Sequence, residues 1–259
     1  MEALLSNPAI LFFAALRPLG MCVMFPLLGA RNLGSTLLRN GVILAFSIPV
    51  VPLYIRSPAP VSGHSFSALF VGQELMIGVL IGLVMAIPFW ALDSAGFIVD
   101  TIRGSSMGSV LNPSLGEAAS VLGILFVQLF IALFFMYGGL NQMLAILYRS
   151  YQIIPPGARL QLSDRWLALL LAQWRTLFTL CISFVLPSVV VMVLTDLAIG
   201  LMNRSAQQLN VFFLAMPIKS AMALVMLIIS LWFSVSVYFT HLDSLPLALT
   251  RLLEGLSHE

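Results

Sequence analysis

The sequence contains very little charge. Asp, Glu, Lys and Arg make up only 8% of its 259 residues, whereas 60% are hydrophobic and the mean hydropathy is +1.05. Soluble domains carry about 25% charged residues. Because a chain this poor in charge cannot cover itself with a solvated surface, we predict an integral membrane protein.

Other features that are scarce or missing exclude further classes. A net charge of +2 provides no broad basic face, so we expect no nucleic-acid partner. The sequence has no GxxxxGK[ST] phosphate loop, and no serine lies in a GxSxG context. Its three histidines are scattered, and the two cysteines, Cys22 and Cys181, lie in apolar runs where they resemble small hydrophobic residues. We therefore expect no catalysis, no cofactor and no metal site.

Long apolar runs dominate the chain and predict an all-α fold. A membrane helix needs about 20 mostly apolar residues, and in lipid each backbone polar group must be satisfied internally. The pattern predicts a single polytopic domain, 1–259, of about six helical units, some kinked or re-entrant. The fifth run is too long for one simple span, so we expect it to bend near Pro187. The runs are Pro8 to Leu28, Leu37 to Ile55, Leu69 to Leu92, Ser120 to Tyr148, Trp166 to Met202 and Ile218 to Phe239.

The charges of the connectors do not alternate as a plain multi-span bundle requires. Positive residues mark cytoplasmic loops. The connector with Arg31 and Arg39 is basic, residues 92–118 are net negative and residues 149–165 are net positive. Simple alternation places the first two connectors on one side and the third opposite, which conflicts with these signs. Either one segment is re-entrant or the helices do not all cross the bilayer.

Two ionisable residues, Arg17 and Glu74, fall within apolar runs. A charge at bilayer depth costs about 3 kcal/mol on insertion scales, so such groups pair with each other or line a conduit. We expect a buried partner for Arg17, whereas Glu74 lies close enough to the start of its run to reach the interface instead. Gly78 and Gly82 then form a GxxxG pattern, which permits close helix approach but also occurs by chance.

The same run continues into a charged segment. Asp93, Gly96 and Asp100 fall on one helical face, and Arg103 lies one turn beyond Asp100. This pattern favours a solvated helix end, and a charged surface that faces another subunit or a pore is the alternative.

The order of these features resembles the FliR/SctT family (SpaR, YscT), inner-membrane proteins of bacterial type III secretion and flagellar export. Two positions depart from the family pattern: Gln207 stands where members often have proline, and Asn112 precedes Pro113 where Asp is usual. The resemblance is carried by LRPLGMCVMFPLLGAR, QELMIGVLIGL, SAGFIVDTIRGSSMGSVLNP, YGGL, IIPPG and LAIGLMNRSAQQLNVFFLAMPIK.

The resemblance implies a structural and channel-lining subunit of an export gate in the bacterial inner membrane, partly raised toward the periplasm and in contact with lipid. It implies SctR/FliP-like and SctS/FliQ-like partners, cytoplasmic export components and unfolded secreted proteins as cargo. The short chain and the divergent AQQLN favour the injectisome branch over the flagellar one. Residues expected to serve assembly and helix packing are Arg17, Pro18, Glu74, Gly78, Gly82, Asp100, Arg103, Arg204, Gln207, Gln208, Asn210 and Pro217.

Residues 104–118 form a Gly- and Ser-rich connector that we interpret as a candidate gate loop. Its glycines permit hinge conformations, and a methionine thioether adapts to irregular gaps. An ordinary surface connector remains the alternative. The candidate gate residues are Gly104, Met107, Gly108, Asn112 and Pro113.

The C-terminal tail, about 244–259, predicts a short amphipathic helix opened by Ser244 and Pro246. Such a helix is marginal alone in water, so its apolar stripe must dock on the membrane interface, on the protein's own bundle or on a cytoplasmic export component. We expect the last of these. The stripe consists of Leu249, Leu252, Leu253 and Leu256.

Two other functions remain as alternatives. A small-solute secondary transporter would use the polar residues as a midplane site, but transporters usually show two related halves with interrupted helices, which this sequence lacks. A membrane scaffold without a conduit is the other alternative.

Overall fold

The structure is a computed structural model, and it describes residues 8–29, 34–56, 68–105, 120–158, 164–205 and 211–256. The regular secondary structure in these ranges is helical. No strand occurs in these ranges, so the predicted all-α class is confirmed. The α-helices are α1 (Pro8–Met24), α2 (Thr36–Ser47), α3 (Val51–Arg56), α4 (Ala68–Ile102), α5 (Val121–Met136), α6 (Gly139–Ile153), α7 (Asp164–Ser205) and α8 (Val211–Glu254), with short 3-10 turns at Pro26–Leu28 and Ile48–Val50.

Four helical segments are long and apolar enough to cross a membrane, at Thr36–Ile55, Leu69–Ile102, Trp166–Asn203 and Ala215–Trp232. A fifth span is possible if α5 and α6 count as one broken segment, bent by 75°. The break lies at Gly138, whose φ of +71° is the left-handed conformation that glycine adopts without strain. The sequence predicts that some units are kinked or re-entrant, and this pair, in the fourth apolar run, is one such unit; the bend expected near Pro187 concerns another run.

The fifth apolar run forms one continuous helix. The 42-residue α7 contains Pro187, which lies within the helix without ending it. Proline removes one backbone hydrogen bond from a helix interior, but the apolar residues on both sides can still support the helix by packing.

The chain divides into two compact units, each assembled from separate stretches of sequence. The first contains residues 1–87, 134–174 and 242–259, and the second contains residues 88–133 and 175–241. The single-domain organisation expected from the sequence stays a prediction.

The C-terminal tail belongs to the first unit, and its predicted helix start is wrong. α8 continues through Ser244 and Pro246 without a break and ends at Glu254. The buried residues Leu242 and Leu245 lead into the stripe at helical spacing, so continuous packing holds the helix together across the proline.

The position of the leucine stripe corrects the partner-docking interpretation. All four side chains are at most 2% exposed: Leu249, Leu252, Leu253 and Leu256. They pack within this chain's own bundle, where Leu249 and Leu253 lie beside Ile146 and Ile153 of α6. In this fold the stripe is therefore not available to a cytoplasmic component.

The second unit has an aromatic core. Phe89 meets Phe130 edge-on at 4.8 Å between ring centroids, and Phe130 meets Tyr238 at 5.5 Å. Phe126 and Phe184 form a third edge-on pair at 5.1 Å. Such pairs add about 0.5–1.5 kcal/mol each beyond the area that they bury. They connect the second half of α4 with α5, and α5 with α7 and α8, inside this unit.

Candidate functional site

Three glycines bring α1 and α4 into backbone contact in the first unit. A methyl group added at Gly78 would overlap the main-chain oxygen of Arg17, and one added at Gly82 would lie 2.5 Å from the main-chain oxygen of Met21. Gly20 of α1 faces the backbone of α4 in the same way, against the main-chain oxygen of Leu75. The two glycines of the GxxxG pattern therefore lie where α1 and α4 approach closely, which is one of the two interpretations that the sequence left open.

Arg17 and Glu74 form a buried ion pair beside this crossing. Arg17 has no exposed surface and Glu74 is 2% exposed, which excludes the interfacial position considered for Glu74. The guanidinium donates through Nε and Nη2 to the two carboxylate oxygens, at 2.5 and 3.1 Å. This bidentate geometry is the arrangement that best offsets the loss of solvation of both charges.

The remaining donors of Arg17 reach α6. Nη1 donates to the Ser150 hydroxyl at 3.3 Å, and Nη2 donates to the main-chain oxygen of Ile154 at 2.6 Å. The guanidinium also lies over the Tyr151 ring, 4.1 Å from its centroid. One side chain therefore connects α1, α4 and the C-terminal end of α6. With its donors engaged in these contacts, the cluster acts as a structural clamp.

Sequence reasoning missed Ser150, Tyr151 and Ile154. Helix ends leave main-chain carbonyls without helical partners, and the Pro155-Pro156 pair just after α6 cannot donate to them. A helix end followed by two prolines was thus the one sequence signal that an acceptor was available there. Nothing in the spacing showed that Arg17, far away in the chain, would use it.

We expect Glu74→Gln to destabilise the purified protein by about 3–5 kcal/mol, because it leaves the Arg17 charge buried without a counter-charge. Thermal unfolding in detergent measures the effect. Glu254→Gln, at an exposed position of α8, is the matched control and should change stability by less than about 0.5 kcal/mol. The double variant Arg17→Met with Glu74→Met should recover part of the loss. Equal stability of Glu74→Gln and the control would contradict the clamp.

The glycine crossing gives a second prediction, with a control in the same helix. Gly78→Ala forces a methyl group into the backbone of α1 and should lower the melting temperature of the purified chain. Gly72→Ala has no atom within 4 Å of the new methyl group and should be neutral or stabilising by roughly 0.5–1 kcal/mol. The same small effect from both substitutions would show that the helices do not need this contact.

Asp100 organises the end of α4 in the second unit. Its Oδ2 accepts hydrogen bonds from the Ser120 hydroxyl at 2.7 Å and from the Leu122 amide at 3.0 Å, while Oδ1 pairs with Arg103 at 2.7 Å. Ser105 donates its amide and its hydroxyl to the main-chain oxygen of Asp100. Because Asp100 is only 4% exposed, the solvated helix end considered from the sequence is wrong for this residue.

Of the candidate gate loop, residues 104–118, the structure describes the first two residues, and the next described residue is Ser120. Gly104 has a φ of +86°, and a methyl group there would lie 3.5 Å from the Met216 side chain at the start of α8. Ser105 and Ser120 both bind Asp100, so one residue holds the two described residues that flank the remaining part of the chain between α4 and α5. Four of the predicted gate residues lie outside the described residues: Met107, Gly108, Asn112 and Pro113.

The polar stretch before α8 is only partly described. Arg204 lies in α7 but its side chain is outside the described structure, and Pro217 lies exposed near the start of α8. Pro18, by contrast, is buried in α1 next to Arg17. Three residues expected to serve assembly lie outside the described ranges, namely Gln207, Gln208 and Asn210.

Comparison with known proteins identifies the family. The sequence family described as bacterial export proteins, family 1, matches residues 9–245. The chain belongs to this family. It is 45% identical over 232 residues to the secretion system apparatus protein SsaT of Salmonella typhimurium, which covers 89% of this chain and 90% of that protein. The family expected from the sequence motifs is confirmed.

Two other relatives share lower identity with this chain than SsaT does. The Yop proteins translocation protein T of Yersinia pestis is 38% identical over 80% of both chains. The flagellar biosynthetic protein FliR of Escherichia coli is 27% identical, over 80% of this chain and 78% of that protein. Residues 9–245, which the family model matches, include the Arg17–Glu74 clamp, the glycine crossing and Asp100.

Proposed function

We propose that this export protein is a structural and conduit-lining subunit of a type III secretion export gate, which moves unfolded proteins across the bacterial inner membrane. The observation that carries the proposal is the 45% identity to a secretion system apparatus protein over nearly the full length of both chains. The described polar clusters support a structural role, because Arg17, Glu74 and Asp100 are used in contacts within the chain. No catalytic step is assigned to them.

The injectisome branch is favoured over the flagellar branch. Identity is 45% to SsaT and 38% to the Yersinia translocation protein, but 27% to the flagellar protein FliR. The same ranking was expected from the short chain and the divergent residues after Arg204.

Large uncovered apolar faces support assembly with other membrane subunits. In an apolar 18-residue stretch of each candidate span, only 17% is buried within the chain in α8 and 39% in α7, against 72% in α4. The partners proposed are the SctR/FliP-like and SctS/FliQ-like subunits, with cytoplasmic export components as further neighbours. The surface left by those contacts would face lipid.

Co-purification tests the proposed function. A tagged chain extracted in mild detergent from the bacterium that encodes it should bring along other small polytopic proteins, identified by mass spectrometry. A tagged polytopic transporter of similar size, extracted in the same way, should not. A chain that emerges alone would contradict a gate subunit and favour the transporter or scaffold alternative.

The connector between α4 and α5 is proposed as a closure of the conduit. Ser105 and Ser120, near its two ends, both bind Asp100, and its composition suits an adaptable seal. The partial burial of Gly104 beside Met216 supports a defined starting point for the segment.

We expect deletion of Ser105 to Gly108 to leave assembly largely intact and to make cells holding the complex permeable to ions. Ion-sensitive dyes in intact cells measure the leak. A four-residue deletion at 59–62, in the connector between α3 and α4, is the control and should leave permeability unchanged. Unchanged permeability in the assembled Ser105–Gly108 mutant would rule out the closure role.

A further inference from the structure

An ion pair crosses between α7 and α8 in the second unit. Asp196 Oδ1 and Lys219 Nζ are 2.5 Å apart. Both residues lie inside segments that are apolar and long enough to cross a membrane, and Lys219 is the one lysine in the sequence. A charged residue placed in such a segment is costly and has to be neutralised or hydrated.

The two partners are covered to different degrees. The Lys219 side chain is 17% exposed, whereas the Asp196 side chain is 45% exposed. Among the described residues, Lys219 is the polar partner that the structure gives Asp196, and it engages Oδ1. A carboxylate accepts hydrogen bonds through both oxygens, so Oδ2 of Asp196 retains its capacity on the open side of the pair.

The surface around Asp196 is apolar and open. On the same helix Val193, Leu197 and Leu201 are 46%, 60% and 70% exposed. Gly200 lies one turn after Asp196, and a methyl group added there would meet no atom within 4 Å. A small residue at such a position allows a second helix to approach closely.

Lipid chains and a protein helix would cover this surface differently. Acyl chains cover the leucines but offer no donor to the carboxylate, which leaves a partly uncovered charge in an apolar medium. A helix with an apolar face and one donor side chain satisfies both the leucines and the free oxygen. The mixture of exposed apolar side chains with one carboxylate acceptor therefore fits a protein better than lipid.

We propose that Asp196 is a docking point for an apolar helix of a neighbouring membrane protein, which carries a hydrogen-bond donor opposite Oδ2. Lys219 is a positioning residue that neutralises Asp196 and fixes its orientation. This inference rests on the proposed function, because a gate subunit has such neighbours, and it adds the chemistry by which one of them is recognised.

Exchanging the charges of Asp196 and Lys219 distinguishes their ion pair within the chain from the proposed contact of Asp196 with a neighbouring protein. Asp196→Lys with Lys219→Asp rebuilds the ion pair between α7 and α8 but presents an ammonium donor where the neighbour expects an acceptor. We expect the exchanged chain to keep the melting temperature of the unmodified chain when purified. Its recovery in the assembled complex should fall roughly 5- to 150-fold, as for the loss of one buried hydrogen-bond partner. Asp243→Lys, at an exposed position of α8, is the control and should assemble normally.

Normal assembly of the exchanged variant would overturn the proposal, since the pair would then act only within the chain. If the exchange itself lowers the melting temperature, a photo-reactive amino acid at Leu197 provides an independent measurement in the otherwise unmodified chain. Cross-links to another protein are expected, and cross-links to lipid alone would overturn the proposal. An unmodified chain that purifies without partners contradicts the proposed function, whereas an intact complex with an unaffected exchange variant contradicts only the Asp196 contact.

Discussion

The guanidinium of Arg17, which has no exposed surface, constrains three helices of the first unit. Leaving such a charge unpaired in an apolar interior costs several kcal/mol, so Glu74 must come within hydrogen-bond distance. That distance requires α1 and α4 to touch, and only glycine leaves room for their backbones at the crossing. The remaining guanidinium donors need acceptors, which the C-terminal end of α6 supplies through the Ser150 hydroxyl and the main-chain oxygen of Ile154. One buried charge thereby fixes the positions of three helices.

The sequence predicts some of this arrangement because the cost of burying a charge does not depend on the fold. Arg17 needs a partner in any helical bundle, and the GxxxG spacing needs a close neighbour if it is used at all. The identity of the partner depends on which helices lie side by side, and spacing along the chain carries no such information across 57 residues. Ser150 and Ile154 were missed for the same reason. A main-chain carbonyl, moreover, can belong to any residue type.

Local rules failed where packing opposed them. Ser244 and Pro246 are good markers of a helix start, but α8 continues through both because its leucines stay buried at helical spacing on either side. The predicted stripe of leucines on one helical face is therefore present. The prediction that it belongs to a separate short helix is wrong, because the stripe continues the long helix α8. At Asp100 the charge spacing favoured a solvated end, with a charged surface toward another subunit or a pore as the alternative. Burial excludes both alternatives for this carboxylate, since Asp100 binds Ser120, Leu122 and Arg103 within the chain.

Hydropathy alone does not distinguish a helix that faces lipid from one that faces protein, because both are apolar. The candidate spans of α4 and α8 have mean hydropathies of 2.4 and 1.8, yet in an apolar 18-residue stretch of each, 72% of the first and 17% of the second is buried within the chain. Polar side chains within these apolar helices help to tell whether a helix faces lipid or protein, because a buried or half-buried polar group needs a hydrogen-bond partner. In the described part of α4, Glu74 and Asp100 find their partners inside the chain, whereas Asp196 keeps a half-exposed carboxylate among exposed leucines. Acyl chains cannot satisfy such a group, so the position of Asp196 indicates where the chain's own packing stops and a neighbouring protein begins.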